Sequence, residues 1–407
     1  MIRAFLAAVA VAVGLGGQTE LQAPAREPAT PPPFVLGVIY HEGGLAPELA
    51  RLDPLSLERT GRAVRLRLGG GSATASSPDG RRVALGTPEP GIQIVDAKRM
   101  KRLGFVKLGG IGWVTFLSWQ EGTLFAVVSD ETHTTALVVD PRGQQVLQRH
   151  RLNRLFLGAA ESTGGIDILT SPRRRIGPVE LTVLGGKGAA SVAIEGISGG
   201  TVTKNREEGF RAEQVIPGLA VDKDAHRAFV VSAGRYVADV SLENLAVQYH
   251  ELSEPVSLLG RLRNWIEPAA EAKVIQGPQR KAVWLGNGLV AVTGADYSGA
   301  TGKPAGLTLI DTSDWSIRKL DDETSDATRV GETLVGVGRR SGLVGYDLQG
   351  RRLYRLLDRA EIDGLETSGG LVYVYLGAER RAVVDAASGR VVGRAKRGFI
   401  SVVADAP

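Results

Sequence analysis

An all-β ring of four-stranded blades, a single closed β-propeller, is the fold that this 407-residue sequence predicts, on three observations. Apolar strands ending in Asp recur at a spacing near 40 residues. Each follows a second apolar strand that begins after a turn rich in Gly, Asp or Asn. A lone apolar strand is left over at the C-terminal end, and the first repeat lacks one at its start.

The N-terminal segment is expected to lie outside the ring. Arg3 places a positive charge before the apolar run AFLAAVAVAVG, and the small residues Gly14, Gly16 and Gly17 follow it. That is the pattern of an export signal, and the run falls short of the roughly 20 apolar residues that span a bilayer. Residues 1–17 are read as the signal and the Pro-rich residues 18–33 as a disordered linker. The propeller is assigned to residues 34–407, with export to the cell envelope or medium. Absence of Cys removes disulfides, thiol chemistry and lipid attachment at Cys.

The repeat strands are LARLD to Asp53, IQIVD to Asp96, ALVVD to Asp140, YVADV around Asp239, LTLID to Asp311, LVGYD to Asp347 and RAVVD to Asp385. LTVLG places Gly185 where an eighth Asp would stand. Tight turns follow, so a short carboxylate there is expected to accept backbone N–H bonds rather than act in catalysis. The preceding strands include RRVALGT, TLFAVVS, IDILTS, RAFVVSA, LVAVTG, TLVGVG and LVYVYLG. A period of 40 to 45 residues with four short strands is the mark of propeller blades.

Ser77–Leu85 (SPDGRRVAL) and Ile92–Gly104 (IQIVDAKRMKRLG) are the best copies. They resemble the YVTN-type and tryptophan-aspartate-like (WD40-like) repeats of exported bacterial propellers. The resemblance implies the fold from about Phe34 onward and leaves activity open, since such folds host unrelated functions.

With strands lettered a to d from the central channel outward, the first repeat supplies FVLGVIY as b, LARLDP as c and RAVRLRL as d. FISVVA at Phe399–Ala404 is expected to serve as its strand a and close the ring, removing an exposed edge. Eight blades are counted. Seven result if the irregular fourth repeat, Leu155–Gly200, is not a full blade.

In this topology b–c loops and d–a connections emerge on one face, and the extra length gathers there. The long d–a connections are Ser198–Gln214 and Glu254–Lys281, and the longest b–c loops are Ser129–Thr135, Ser171–Gly177 and Gly294–Pro304. Within residues 254–281, Leu258, Leu259, Leu262, Trp265 and Ile266 follow helical spacing and predict a short amphipathic helix lying over the channel mouth. The b–c loops carry Arg173, Arg174, Arg175, Lys303, Arg339, Arg340, Arg380 and Arg381 against Glu89, Asp130, Glu131, Asp296 and Glu379. Arginine suits bidentate contact with carboxylate or phosphate, so Arg173–Arg175, Arg339, Arg340, Arg380, Arg381 and Trp265 are the candidate ligand-binding residues.

Catalytic patterns are weak. Gly196–Gly200 (GISGG) matches a nucleophile elbow in letters, yet TVTKN after it is not helical. The five His form no paired metal motif; Asp130, Glu131 and His133 are weak metal candidates on one loop. The acidic run Asp321–Asp326 lacks calcium-loop spacing. Five Trp in unlike contexts do not repeat the docking motif of quinone-dependent dehydrogenase propellers. Net charge is only +5, far from the concentrated charge of a dedicated nucleic-acid binder. The expectation is a monomeric exported scaffold without cofactor, binding an anionic glycan, phosphate polymer or protein on the b–c/d–a face. The alternative is a hydrolase or lyase at the channel mouth on that face.

Overall fold

The computed structural model describes residues 31–405 except 42–45, 68–72, 206–208, 235, 253–273, 299–300, 359, 378–379 and 397–399. Residues 1–17, read as an export signal, and most of the segment read as a linker lie outside the described residues. Pro32 is described, and its ring lies where a side chain on Gly369 of blade 8 would go.

Eight four-stranded antiparallel blades form the ring, blades 2 to 8 starting at Thr74, Trp113, Leu155, Gly218, Val274, Asp326 and Gly364 and ending at Lys107, Leu152, Ser198, Glu251, Asp321, Leu356 and Lys396. Blade 1 is composite. Ile400–Asp405 pairs antiparallel with Val35–Ile39, running from Ile39↔Ile400 to Val35↔Asp405, and Glu48–Leu52 and Arg59–Arg65 complete it. The expected closure is thus present. The irregular fourth repeat is a full blade, Leu155–Ser162, Gly165–Ser171, Pro178–Gly185 and Gly188–Ser198. Its c–d turn is a two-residue hairpin with Gly185 paired to Gly188. So short a turn favours Gly over a capping Asp.

Strands b and c read as nearly continuous apolar runs because each sheet buries both faces against its neighbours. The buried apolar residues fall into eight clusters, one per seam between adjacent blades. On the first seam Val83, Leu85 and Val95 of blade 2 meet Leu36, Val38 and Leu49 of blade 1. Each such side chain contributes about 1.5–3 kcal/mol by leaving water.

The recurring Asp caps the c–d turn. Asp53 Oδ1 accepts the Leu55 and Ser56 N–H groups at 2.9 and 2.7 Å, and Asp385 Oδ1 accepts the Ser388 N–H at 2.7 Å. The fourth residue after the Asp is left-handed in Leu57, Met100, Gln144 and Trp315, with φ between 49° and 62°. Asp239 departs from this pattern. In blade 5 the turn residue is Ser241, whose carbonyl accepts the Leu245 N–H at 2.9 Å. Asp239 lies two residues earlier inside Tyr236–Ser241, buried and ion-paired with Arg227.

The two long d–a connections meet. Gly200–Asn205 and Gly209–Ile216 form a hairpin whose second strand runs parallel to Val274–Gly286, with Ala212↔Val274 and Ile216↔Gln279. Strand a of blade 6 therefore starts at Val274, inside the segment 254–281 assigned to a helical insertion. That extension is strand because the other connection gives it a ladder partner. The rest of the insertion, Trp265 included, lies outside the described residues.

Candidate functional site on the b–c/d–a face

Blades 3 and 4 build the site. Blade 3 comprises Trp113–Gln120, Thr123–Ser129, Thr134–Asp140 and Gln145–Leu152. Its d–a entry, Gly109-Gly110-Ile111-Gly112, folds tightly against the b–c loop. Gly112 has φ of 120°, and a Cβ there would lie 2.3 Å from the Ser129 carbonyl oxygen. Only glycine fits so close to backbone in this conformation. Held this way, Ile111 is 85% exposed and Trp113 54% exposed at the channel end of strand a.

The b–c loop is ordered from within. Asp130 Oδ1 accepts the backbone N–H groups of Thr132 and His133 at 2.6 and 2.7 Å and the Thr132 hydroxyl at 2.7 Å. These bonds, the Thr132 hydroxyl foremost, hold the Asp130 carboxyl below its ordinary pKa. His133 Nδ1 lies 2.6 Å from Thr132 Oγ1, and the Arg173 guanidinium of blade 4 donates to His133 Nε2. That contact requires the tautomer with its proton on Nδ1, so the proton path runs His133 to Thr132 to Asp130. The b–c loops of blades 3 and 4 are joined through this chain.

Beside it opens a hollow of about 420 Å³ lined by Ile111, Asp130, His133, Arg149 and Arg151 among others. An adjoining one of about 510 Å³ is lined by Pro88, Ile111, Trp113, Asp130 and Glu131. One side is basic and the other aromatic, with Ile111 and Asp130 shared. Of the weak metal candidates Asp130, Glu131 and His133, Asp130 caps its own loop and the Arg173 guanidinium contacts His133 Nε2. Among the described residues no group of three or more His, Asp or Glu is arranged to hold a metal.

The other candidate arginines are distributed around the ring. Arg174 is exposed beside Arg173, while Arg175 is left-handed at φ of 62° with its carbonyl packed against Gly200. Arg339 is exposed 3.8 Å from Glu361, and Arg340 is exposed on the same blade 7 loop. Arg380 is exposed, but Arg381 is only 6% exposed, with its guanidinium 3.7 Å above the Tyr375 ring. Strand register places Arg381 opposite Tyr375 on the face toward blade 1, so it is a seam residue. Blades 7 and 8 lie across the ring from blades 3 and 4, so these arginines do not form one patch. Arg149, Arg151, Ile111 and Trp113 were not foreseen from sequence; the only signal was the Gly run around Ile111.

Ser198 of GISGG is no exposed nucleophile. It ends strand d of blade 4, and its hydroxyl lies 2.5 Å from the Gly200 carbonyl oxygen and 3.1 Å from that of Gly177. Asp321 of the acidic run caps Glu323 and Thr324 N–H groups at 2.9 and 2.7 Å and accepts the Tyr346 hydroxyl at 2.7 Å. Between blades 4 and 5, Asp167 is fully buried with no hydrogen bond to either carboxylate oxygen. Burial pushes its pKa up to about 7, with the nearby Ser162 hydroxyl pulling the other way.

Neither a known protein family nor a curated protein matches the sequence. Solved structures do share the fold. The dihydro-heme d1 dehydrogenase NirN, solved in complex with DHE, superposes at a TM-score of 0.59 and 14% identity, over 93% of this chain and 77% of that one. Sqt1 of Saccharomyces cerevisiae gives 0.51 at 11% identity over 82% and 85%. The computationally designed Ika8 protein gives 0.50 at 14% over 83% and 91%. At such identities the likeness shows the propeller fold alone.

Proposed function

We propose that the protein is an exported binding scaffold that holds an anionic ligand or partner on its b–c/d–a face, at blades 3 and 4. Export rests on the pattern of residues 1–17. The observation that carries the binding reading is the Arg173–His133 contact. It sets a basic loop of blade 4 against the hollow lined by Arg149 and Arg151, next to the exposed Trp113. Asp130 keeps its negative charge while capping its own loop, and Arg149, Arg151, Arg173 and Arg174 outnumber it and Glu131 around the hollows. An acidic glycan suits the pair of hollows, its carboxylates against arginine and its rings against Trp113.

Replacing Arg173 and Arg174 with Ser tests this reading. Both side chains are exposed on a loop outside the strand ladders, so stability should shift by less than about 0.5 kcal/mol. Binding of parent and variant to acidic glycans and polyphosphate is compared across a salt series. Strongly salt-dependent binding by the parent, weakened about tenfold or more in the variant, is expected. Equal, salt-insensitive binding by both would sink the reading.

A further inference from the structure

The chain's charge is distributed very unevenly. Segments 59–67, 98–107 and 142–152 together hold twelve Lys and Arg and no Asp or Glu. With twelve positive charges there against a chain total of +5, all other residues sum to −7. The three segments are the outermost strands of blades 1, 2 and 3, with the turn residues before the strand in blades 2 and 3 and with Leu66 and Arg67 after it in blade 1. All twelve cations are exposed. Among the described residues only Arg59 of the twelve forms an ion pair, with Glu48 at 3.5 Å.

These strands are stitched side by side. Arg102 Nη2 donates to the Arg65 carbonyl at 3.1 Å, and the Arg67 guanidinium lies 4.9 Å over the Phe105 ring. The Phe105 N–H donates to Gln144 Oε1 at 3.3 Å, and the Arg149 guanidinium donates to the Leu108 carbonyl. The result is one basic wall on the flank of the ring, meeting the b–c/d–a face at Arg149 and Arg151.

Large apolar side chains are exposed in the same wall. Pairing skips Leu103 between Gly104 and Arg102, and skips Leu147 between Gln148 and Val146, so each is the extra residue of a β-bulge. Such a residue is turned out of the regular alternation. The bulge recurs at Leu320, Leu353 and Val392 in blades 6, 7 and 8, where the side chain is half-buried. Only Leu103 and Leu147 stand exposed at this position, and Ile111, which shares a hollow with Arg149 and Arg151, projects where the wall meets the b–c/d–a face.

We propose that the outer wall of blades 1 to 3 docks on an anionic lipid surface. A cationic surface studded with exposed Leu and Ile matches the interface of a bilayer, where headgroup charge attracts the cations and the apolar side chains enter the acyl boundary. A soluble polyanion would use the cations and leave the apolar side chains without a role. Docking by the flank shares Ile111, Arg149 and Arg151 with the edge of the binding site proposed above and leaves Arg173 and Trp113 of that site open to solvent.

The test is co-sedimentation of the purified full chain with vesicles of phosphatidylcholine alone or with 30 mol% phosphatidylglycerol, in low and high salt. Two variants are compared. Arg62, Arg65, Lys101 and Lys107 become Gln in one; no side chain among these makes a hydrogen bond or ion pair with a described residue, so folding should be unaffected. Leu103, Ile111 and Leu147 become Ser in the other. The parent is expected to bind the anionic vesicles, weakly at high salt, and to ignore phosphatidylcholine. At about 1 kcal/mol per surface cation, the Gln variant with four cations removed should bind on the order of a thousandfold more weakly. Loss of three partly inserted apolar side chains should weaken binding roughly tenfold. Absence of binding to anionic vesicles by the parent overturns the proposal. So does an unchanged Ser variant whose vesicle binding is competed away by free polyphosphate, which would assign the wall to a soluble polyanion.

Discussion

Asp167 should make the fold less stable as pH rises through neutrality. It sits in strand b of blade 4, opposite Ala160 and Val183, with Leu169 of the same strand in the seam with blade 5. Burial raises its pKa from 3.8 in the unfolded chain to about 7 in the fold. Between those values the native state holds a proton that the unfolded state has released, so stability is full below pH 4 and is lost as pH rises through 7. Three pKa units correspond to about 4 kcal/mol, of which about 3 kcal/mol falls between pH 5 and pH 8. The carboxyls of Asp53, Asp130 and Asp347 are held low and act in the opposite sense, but they are fully ionised by pH 5. Asp167→Asn isolates the effect. The amide cannot ionise, and its unpaired N–H groups should cost about 1–2 kcal/mol at pH 5. Urea unfolding of parent and variant at intervals from pH 5 to pH 8 should therefore give curves that cross, with the variant more stable at pH 8. Curves that remain parallel would refute the assignment of a buried, protonated Asp167.

Two further outcomes are expected. Deleting residues 399–407 removes the strand paired with Val35–Ile39 and exposes an inner edge, so the melting temperature should fall and aggregation rise; an unchanged melting curve would show that the ring does not depend on this strand. Gly112→Ala forces a Cβ to within 2.3 Å of the Ser129 carbonyl oxygen at a φ that alanine avoids, so the 109–113 entry should shift. A stability loss of about 1–3 kcal/mol and faster proteolysis at that entry are predicted, and protection equal to the parent's would contradict it.

The fold was legible because each blade writes the same sentence: two apolar runs buried on both faces, and an Asp-capped turn after the second. Even the unpaired strand at residues 399–404 pointed to its place in blade 1. Asp239 was misplaced because a carboxylate two residues early looks the same in a letter pattern, while only strand register shows that it meets Arg227. Gly185 marked a shorter hairpin rather than a lost blade. The parallel pairing of residues 212–216 with 274–279 joins segments about 60 positions apart, and no local pattern reports it. Arg381 read as a loop cation because its burial comes from a neighbouring blade. The same limit hid the basic wall. A chain total of +5 averages a strongly cationic flank with an acidic remainder, and the three segments responsible are each about 40 residues apart until the blades stand side by side.

Blade 1 also dictates when the molecule can be finished. Val35 and Asp405 are partners, so the strand at Val35–Ile39 waits for one synthesised some 370 residues later. Blades 2 to 8 can stack in the order of their synthesis, each on the one before. Blade 1 meanwhile holds three strands, and the seam between blades 8 and 1 is incomplete without Val402. Joining ends some 370 residues apart in a loose chain would cost about 5 kcal/mol of loop entropy. The stacked blades have already bent most of that length into an arc, so the final strand meets a nearly prepared slot. Completion is then a late, discrete event during biogenesis. Chains interrupted before residue 400 should accumulate as open arcs, each with the inner edge of Val35–Ile39 free to capture a strand from another molecule.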